Sequence, residues 1–178
     1  GEVSLGSITE DIPRGVQSSG SENRGSESPL GNLVADAQLA AAADLGAQIA
    51  IMNPGGIRGN LVYASSGAND PDGNVTYAEA AAIQPFANTL VTINLTGAQL
   101  KEVLEQQWQP AGEPRPFLKL GVSEGFEYVY DPNLPQGERI LAMSLNGEPI
   151  DAATSYKVVA NSFLAAGGDN FRAFTEGD

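Results

Sequence analysis

Histidine and cysteine are both absent from the 178 residues. Their absence removes serine–histidine and cysteine–histidine nucleophiles, histidine acid–base chemistry, and the imidazole or thiolate ligands favoured by zinc, copper and iron. It also excludes disulfides, which by itself leaves the compartment open. Basic residues are scarce: lysine plus arginine number 9 against 22 aspartate plus glutamate, a formal charge of −13. Such a chain repels nucleic-acid backbones and anionic membranes, so nucleic acid is not an expected partner. No apolar run reaches the roughly 18 residues of a membrane span. The first residues lack the basic start and apolar core of an export signal, so we expect a soluble chain from which any signal is missing.

The length suits one domain that buries about 70% of its unfolded surface. The pattern of elements predicts an α/β (mixed α+β) domain over residues 1–178, with a mixed sheet, two main helices and a strand-rich C-terminal third. Residues 1–14 alternate loosely as a first strand, through Val3, Leu5 and Ile8. Ser28 before Pro29 starts a helix whose apolar face is read as Leu30, Leu33, Val34, Ala37, Ala41 and Leu45, closed by Gly46. "AQIAIMN" is a buried strand and "NLVY" a further one, followed by a surface loop over 64–74. "NTLVTINLT" is a strand leading into a capping box, Thr96 with Gln99, ahead of Leu100, Val103, Leu104 and Trp108 at helical spacing. "FLKLGVS", "FEYVYD", "ERILAMSLNGEPI" and "SYKVVANSFLAAG" are strands, with a hairpin turn at Asn146-Gly147.

Four short stretches carry residues suited to chemistry. "NPGGIR" ends a strand at Asn53, and Gly55 and Gly56 let a ligand approach the backbone. Arg58 then offers a planar fork to a phosphate or carboxylate; a tight turn with a solvated arginine is the simpler alternative. "NSFLAAGGDNF" delivers Asp169 behind a second glycine pair, with Phe163 upstream. A carboxylate so held suits vicinal hydroxyls, as for ribose in dinucleotide folds, or caps its own turn. "QPF" fixes the approach to Phe86, a residue type more often found in cores than on ligand platforms. In "RGSESPLGN", Arg24 precedes a helix mouth and would complete an anion site there if folded over it. Asp70, Asp72 and Asn74 imitate the start of a calcium loop, but Ala81 stands where its final glutamate belongs, so the loop is read as metal-free.

In order and spacing, "R…ESPLGNLVADA", "NPGGIR", "QPF" and "NSFLAAGGDNF" resemble the C-terminal domain of the 5′-nucleotidase and UDP-sugar hydrolase family, over essentially the whole chain. The resemblance implies a nucleobase held between Phe86 and Phe163, and ribose hydroxyls on Asp169. It also implies Asn53, Gly55 and Gly56 beside base and ribose, phosphate on Arg58 and Arg24, and a further contact at Ser123 or Gly125. Family members hydrolyse nucleoside phosphate esters at a two-metal centre in a separate N-terminal metallophosphatase domain. That domain is the implied partner within the same polypeptide, and the divalent metals would be its cofactor, with none in this chain. The chain then reads as a substrate-specificity domain, inactive alone, of a secreted bacterial enzyme of nucleotide catabolism, extracellular or in the cell envelope. The alternative is a non-catalytic ligand-binding or cell-surface module of the same fold.

Overall fold

The computed structural model describes residues 3–67 and 70–178. The first two residues of the expected opening strand and the middle of the 64–74 loop lie outside them. In chain order the elements are β1 (Ser4–Ser7), α1 (Pro29–Ala41), β2 (Ile49–Met52), β3 (Asn74–Thr76), α2 (Tyr77–Ile83), β4 (Leu90–Thr96) and α3 (Gly97–Glu105). β5 (Gly121–Val122), β6 (Phe126–Tyr130), β7 (Ile140–Leu145), β8 (Glu148–Pro149), β9 (Ser155–Asn161) and α4 (Ser162–Ala165) follow. This is the mixed α/β domain expected, with two longer helices, α1 and α3, and two short ones.

A four-stranded mixed sheet in the order β4-β9-β2-β5 forms the centre, beside the meander β6-β7-β8 and the ribbon β1-β3. β2 runs parallel to β9, pairing Ile49 with Val158 and Ala50 with Val159, while β4 and β5 run antiparallel at either side. Every residue of β2 is buried, the pattern of a strand covered on both faces. Its side chains alternate between two apolar layers. Ile49 and Ile51 join Leu95, Leu100, Leu104, Val158, Phe171 and Phe174 on one face; Ala50 and Met52 join Leu30, Ala35, Ile57, Ile83 and Val159 on the other. Each fully buried Leu, Ile or Phe contributes about 1.5–3 kcal/mol, so the two layers hold the sheet in register.

Local signals set the element ends. Ser28 Oγ accepts from Gly31 N at 2.9 Å with Pro29 at the first helical position, and Thr96 and Gln99 form the reciprocal box at α3. Asn146 and Gly147 both take positive φ, 52° and 83°, in the turn joining β7 to β8.

Several expectations are corrected. Of the expected α1 face Leu30 is buried and Val34 packs against the core, but Leu33 and Leu45 are exposed, and Gly31, Ala35 and Gln38 are buried instead. Gly31 turns inward because α1 approaches β5 backbone to backbone there: a Cβ on Gly121 would fall 2.6 Å from the Gly31 carbonyl carbon. Gly46 closes a following 3₁₀ turn, Ala43–Leu45, rather than α1 itself. Residues 60–63 form no strand; Leu61 makes only an isolated bridge to Ile12. Of residues 117–123 only the two-residue β5 is strand, because ahead of it residues 117–120 are bonded to the chain that leaves α3, Leu118 N to Gln107 O and Leu120 N to Gln107 Oε1. α3 stops before Trp108, which packs on Phe117 at 4.8 Å and Tyr130 at 5.4 Å. The calcium-like loop spends its acceptors internally: Asp70 takes bonds from Ser66 and Asn74, and Asp72 from Ser65.

Candidate functional site

Because β2 and β9 are parallel neighbours, their C-terminal ends lie side by side. The antiparallel β4 begins at the same edge, with Leu90 opposite Asn161. A crevice outside the carboxyl ends of strands is where open α/β sheets receive ligands. Here it is a cleft of about 260 Å³ lined by Arg24, Asn53, Gly55, Gly56, Arg58, Phe86, Asn88, Phe163 and Asp169. All eight residues singled out in the sequence therefore meet at one place, joined by Asn88. Asn88 lies two positions beyond "QPF", and no recognised motif marked it. Ser123 and Gly125 do not line the cleft. Ser123 is buried with its hydroxyl accepting from Ala50 N, and Gly125 occupies a positive-φ turn against Asn146.

The two rings are half exposed, Phe86 at 50% and Phe163 at 45%, unlike the fully buried Phe171 and Phe174. Phe163 sits at the start of α4, whose N-cap is Asn161. The glycine pair behind it divides the work. Gly167 adopts a left-handed conformation (φ 83°), and Gly168 makes room for the Phe163 ring. Asp169 and Asn170 follow with φ of 53° and 65°, uncommon for residues with side chains, in a bend held by Gln109. Asp169 Oδ2 accepts from Asn53 Nδ2 at 2.9 Å.

At "NPGGIR" the glycines act sterically. Gly56 N and Ile57 N are spent inside the turn Pro54–Gly56, and Arg58 N donates to Ile83 O. A Cβ on Gly55 would stand 3.0 Å from Arg24 Nη1 and 3.4 Å from Asp169 Oδ2, so this glycine keeps the cleft floor open. Gly56 instead accommodates Met52 and Asn53. The Arg58 guanidinium lies 5.9 Å from the Phe86 centroid, near the outer limit of a cation–π contact. Among the described residues no carboxylate lies within ion-pairing distance of it.

Arg24 differs. Glu22 Oε1 stands 3.1 Å from its Nε, off the line of the N–H, and also faces Arg14 at 3.0 Å, while Oε2 faces Arg115 at 3.7 Å. Burial pushes the Glu22 carboxyl up, but Arg24, Arg14 and Arg115 together bring it below its ordinary value. One acid among three arginines leaves the cluster net positive. Arg24 does not complete an anion site over the α1 terminus, the conditional reading of its loop. Leu30 N donates to Pro13 O, Gly31 N to Ser28 Oγ and Asn32 N to Ser28 O, so the first N–H groups of α1 are already taken, while Arg24 lines the cleft.

A larger groove of about 440 Å³ adjoins the cleft, sharing Gly56, Phe86 and Asn88, but its lining carries no charged side chain. The convergent polar groups are in the smaller cleft, and ligand chemistry is assigned there. Among the described residues no group of three or more acidic side chains is placed to hold a metal ion. No helix among them is long and apolar enough to cross a membrane.

The sequence matches the family described as 5′-nucleotidase, C-terminal domain, over residues 4–176. It is 37% identical over 162 residues to the trifunctional nucleotide phosphoesterase protein YfkN of Bacillus subtilis, covering 86% of this chain and 10% of that protein. It is 36% identical over 154 residues to a cell wall protein of Listeria monocytogenes, covering 83% and 18%. The 5′-nucleotidase precursor from Thermus thermophilus superposes with a TM-score of 0.78 at 30% identity, covering 99% of this chain and 33% of that one. The chain thus spans about a tenth to a third of these relatives. The matched segment, the shared fold and the order of the cleft-lining stretches lead to one conclusion: the chain belongs to the 5′-nucleotidase C-terminal domain family.

Proposed function

We propose that the cleft binds a nucleoside or nucleotide and that the chain is the substrate-specificity domain of a 5′-nucleotidase-type hydrolase. The base enters between Phe86 and Phe163, where stacking is worth about 1–3 kcal/mol and tolerates any base. Asp169 accepts from the ribose hydroxyls, with Asn53 and Asn88 at the edges of base and sugar. Arg58 and Arg24 take the phosphate, and Gly55 leaves room for the sugar to lie against the chain. The observation that carries this reading is the convergence of two half-exposed rings, one carboxylate and two arginines, from separate parts of the sequence, on one cleft.

Hydrolysis belongs to a metallophosphatase domain of the same polypeptide, which would hold a divalent metal pair; no step of that chemistry falls on this chain. An extracellular or cell-envelope setting accords with the relative named a cell wall protein. That same name favours a second reading, a non-catalytic surface module. Calorimetric titration with adenosine and AMP, on the wild type, Phe163→Ala and Arg58→Ala, tests the binding. Both ligands should bind, the ring variant should weaken both, and the arginine variant should weaken AMP alone. Absence of binding to either at millimolar concentration would favour the surface module.

A further inference from the structure

One buried side chain that the cleft does not expose to ligand has its polarity fixed from both ends. Asn161 ends β9, caps α4 and is 3% exposed. Its Oδ1 accepts from Leu164 N at 2.9 Å, and its Nδ2 reaches Asn53 Oδ1 at 2.9 Å. Asn53, also 3% exposed, sends its Nδ2 to Asp169 Oδ2 at 2.9 Å.

An amide can be turned over, so the direction of such a chain is ordinarily a matter of assignment. Here it is dictated. The main-chain N–H of Leu164 can only donate, so Asn161 must present its oxygen to α4 and its NH₂ to Asn53. Asn53 must then accept with its oxygen and donate with its nitrogen. An ionised carboxylate can only accept, so Asp169 imposes the same direction from the opposite end. The remaining Asn161 N–H meets Met52 Sδ at 3.4 Å, a weak acceptor that does not compete.

We propose that Asn161 is a positioning residue of the cleft: through Asn53 it locks Asp169 Oδ2 in place and leaves Oδ1 for the ligand. The same side chain anchors the turn bearing Phe163, so ring and carboxylate are set by one buried amide. The inference rests on the nucleoside reading for what Oδ1 meets, but the hydrogen-bond chain itself does not.

Asn161→Asp is the informative substitution. Aspartate caps helices as well as asparagine, so α4 and Phe163 stay, but an oxygen now faces Asn53. The Asn53 amide must turn over to donate to it and then presents an acceptor to the Asp169 carboxylate. Asn161→Ser keeps a cap without adding charge and replaces the NH₂ that reaches Asn53 by a shorter hydroxyl.

In a labelled sample of this chain, the wild type should show a through-hydrogen-bond coupling between the Asn53 side-chain nitrogen and the Asp169 carboxyl carbon. It should vanish in Asn161→Asp, whose buried carboxylate also lowers the melting temperature, so each variant is measured well below its own melting point. Adenosine affinity should fall at least tenfold in Asn161→Asp and less in Asn161→Ser, with free adenine, which lacks ribose, nearly unaffected in both. An unchanged coupling, or equal losses for adenosine and adenine, would overturn the proposal, since the second outcome means only that the ring has moved. Should the wild type bind neither ligand, the nucleoside reading fails while the coupling still decides the positioning role.

Discussion

Gly168 lies so close beneath the Phe163 ring that a Cβ on it would fall 2.5 Å from Cε1 and 2.6 Å from Cζ. Real Cβ atoms do not come so near to a ring, so any side chain here moves the aromatic. Its φ is not in the left-handed region, so the constraint is one of space alone. Gly168→Ala is expected to cost about 1–3 kcal/mol in overpacking. Base and nucleoside affinity should fall together, read by calorimetry beside a thermal melt.

The neighbouring glycines of "NPGGIR" should separate binding from stability. In Gly55→Ala the new methyl meets Arg24 Nη1, the mobile end of a long side chain, and crowds Asp169. Ligand affinity should drop with little change in melting temperature. In Gly56→Ala the methyl would stand 2.3 Å from Met52 Cε in the core, and the melting temperature should drop first.

Glu22 gives a pH prediction. Its folded pKa lies below its ordinary value of 4.5, so the stability it adds is fully present above that value and is lost as the pH falls through the folded pKa. The arginine cluster should therefore be unaffected near neutrality and loosen only in acid. Glu22→Gln should flatten the acid limb of melting temperature against pH and leave adenosine binding unchanged at neutral pH. An acid limb identical to the wild type would mean that Glu22 does not organise the three arginines.

Far from the cleft, the buried Glu105 accepts from Gly137 N at 2.9 Å and Ile140 N at 2.7 Å, tying α3 to the start of β7. Removing the carboxylate strands the buried Ile140 N–H, at about 1–3 kcal/mol, whereas the N–H of the exposed Gly137 can turn to water. Glu105→Ala should lower stability by about 1–3 kcal/mol in denaturant unfolding, and Glu105→Gln by less, since it keeps one acceptor.

Much of the cleft was legible because its residues sit in short motifs whose spacing survives in sequence: Phe163 six positions before Asp169, and Asn53 five before Arg58. Asn161 and Asn88 were not, since their roles depend on which strands become neighbours. Leu30 of the α1 face was read correctly, but Leu33 was misplaced because size stood in for burial. Leu33 is larger than Gly31, yet only glycine permits the backbone approach to β5. α2 escaped notice as an alanine-rich stretch without periodicity, although Thr76 and Glu79 form the same box that announced α3. The strand expected at 60–63 failed because Leu61 depends on a partner, Ile12, that no local pattern reveals.

The strand order carries a kinetic consequence. β9 is inserted between β4 and β2, and Asn53 and Asp169, bonded across the cleft, are 116 residues apart in the chain. During synthesis β2 and β4 emerge long before the strand that separates them, so the sheet lacks its middle until residues 155–161 have left the ribosome. Closing loops of that length makes folding slow. A ligand cannot template the early stages, because no cleft exists to hold it. The nascent chain must keep the edges of β2 and β4 from pairing with each other or with other chains, and the waiting interval is when aggregation threatens most.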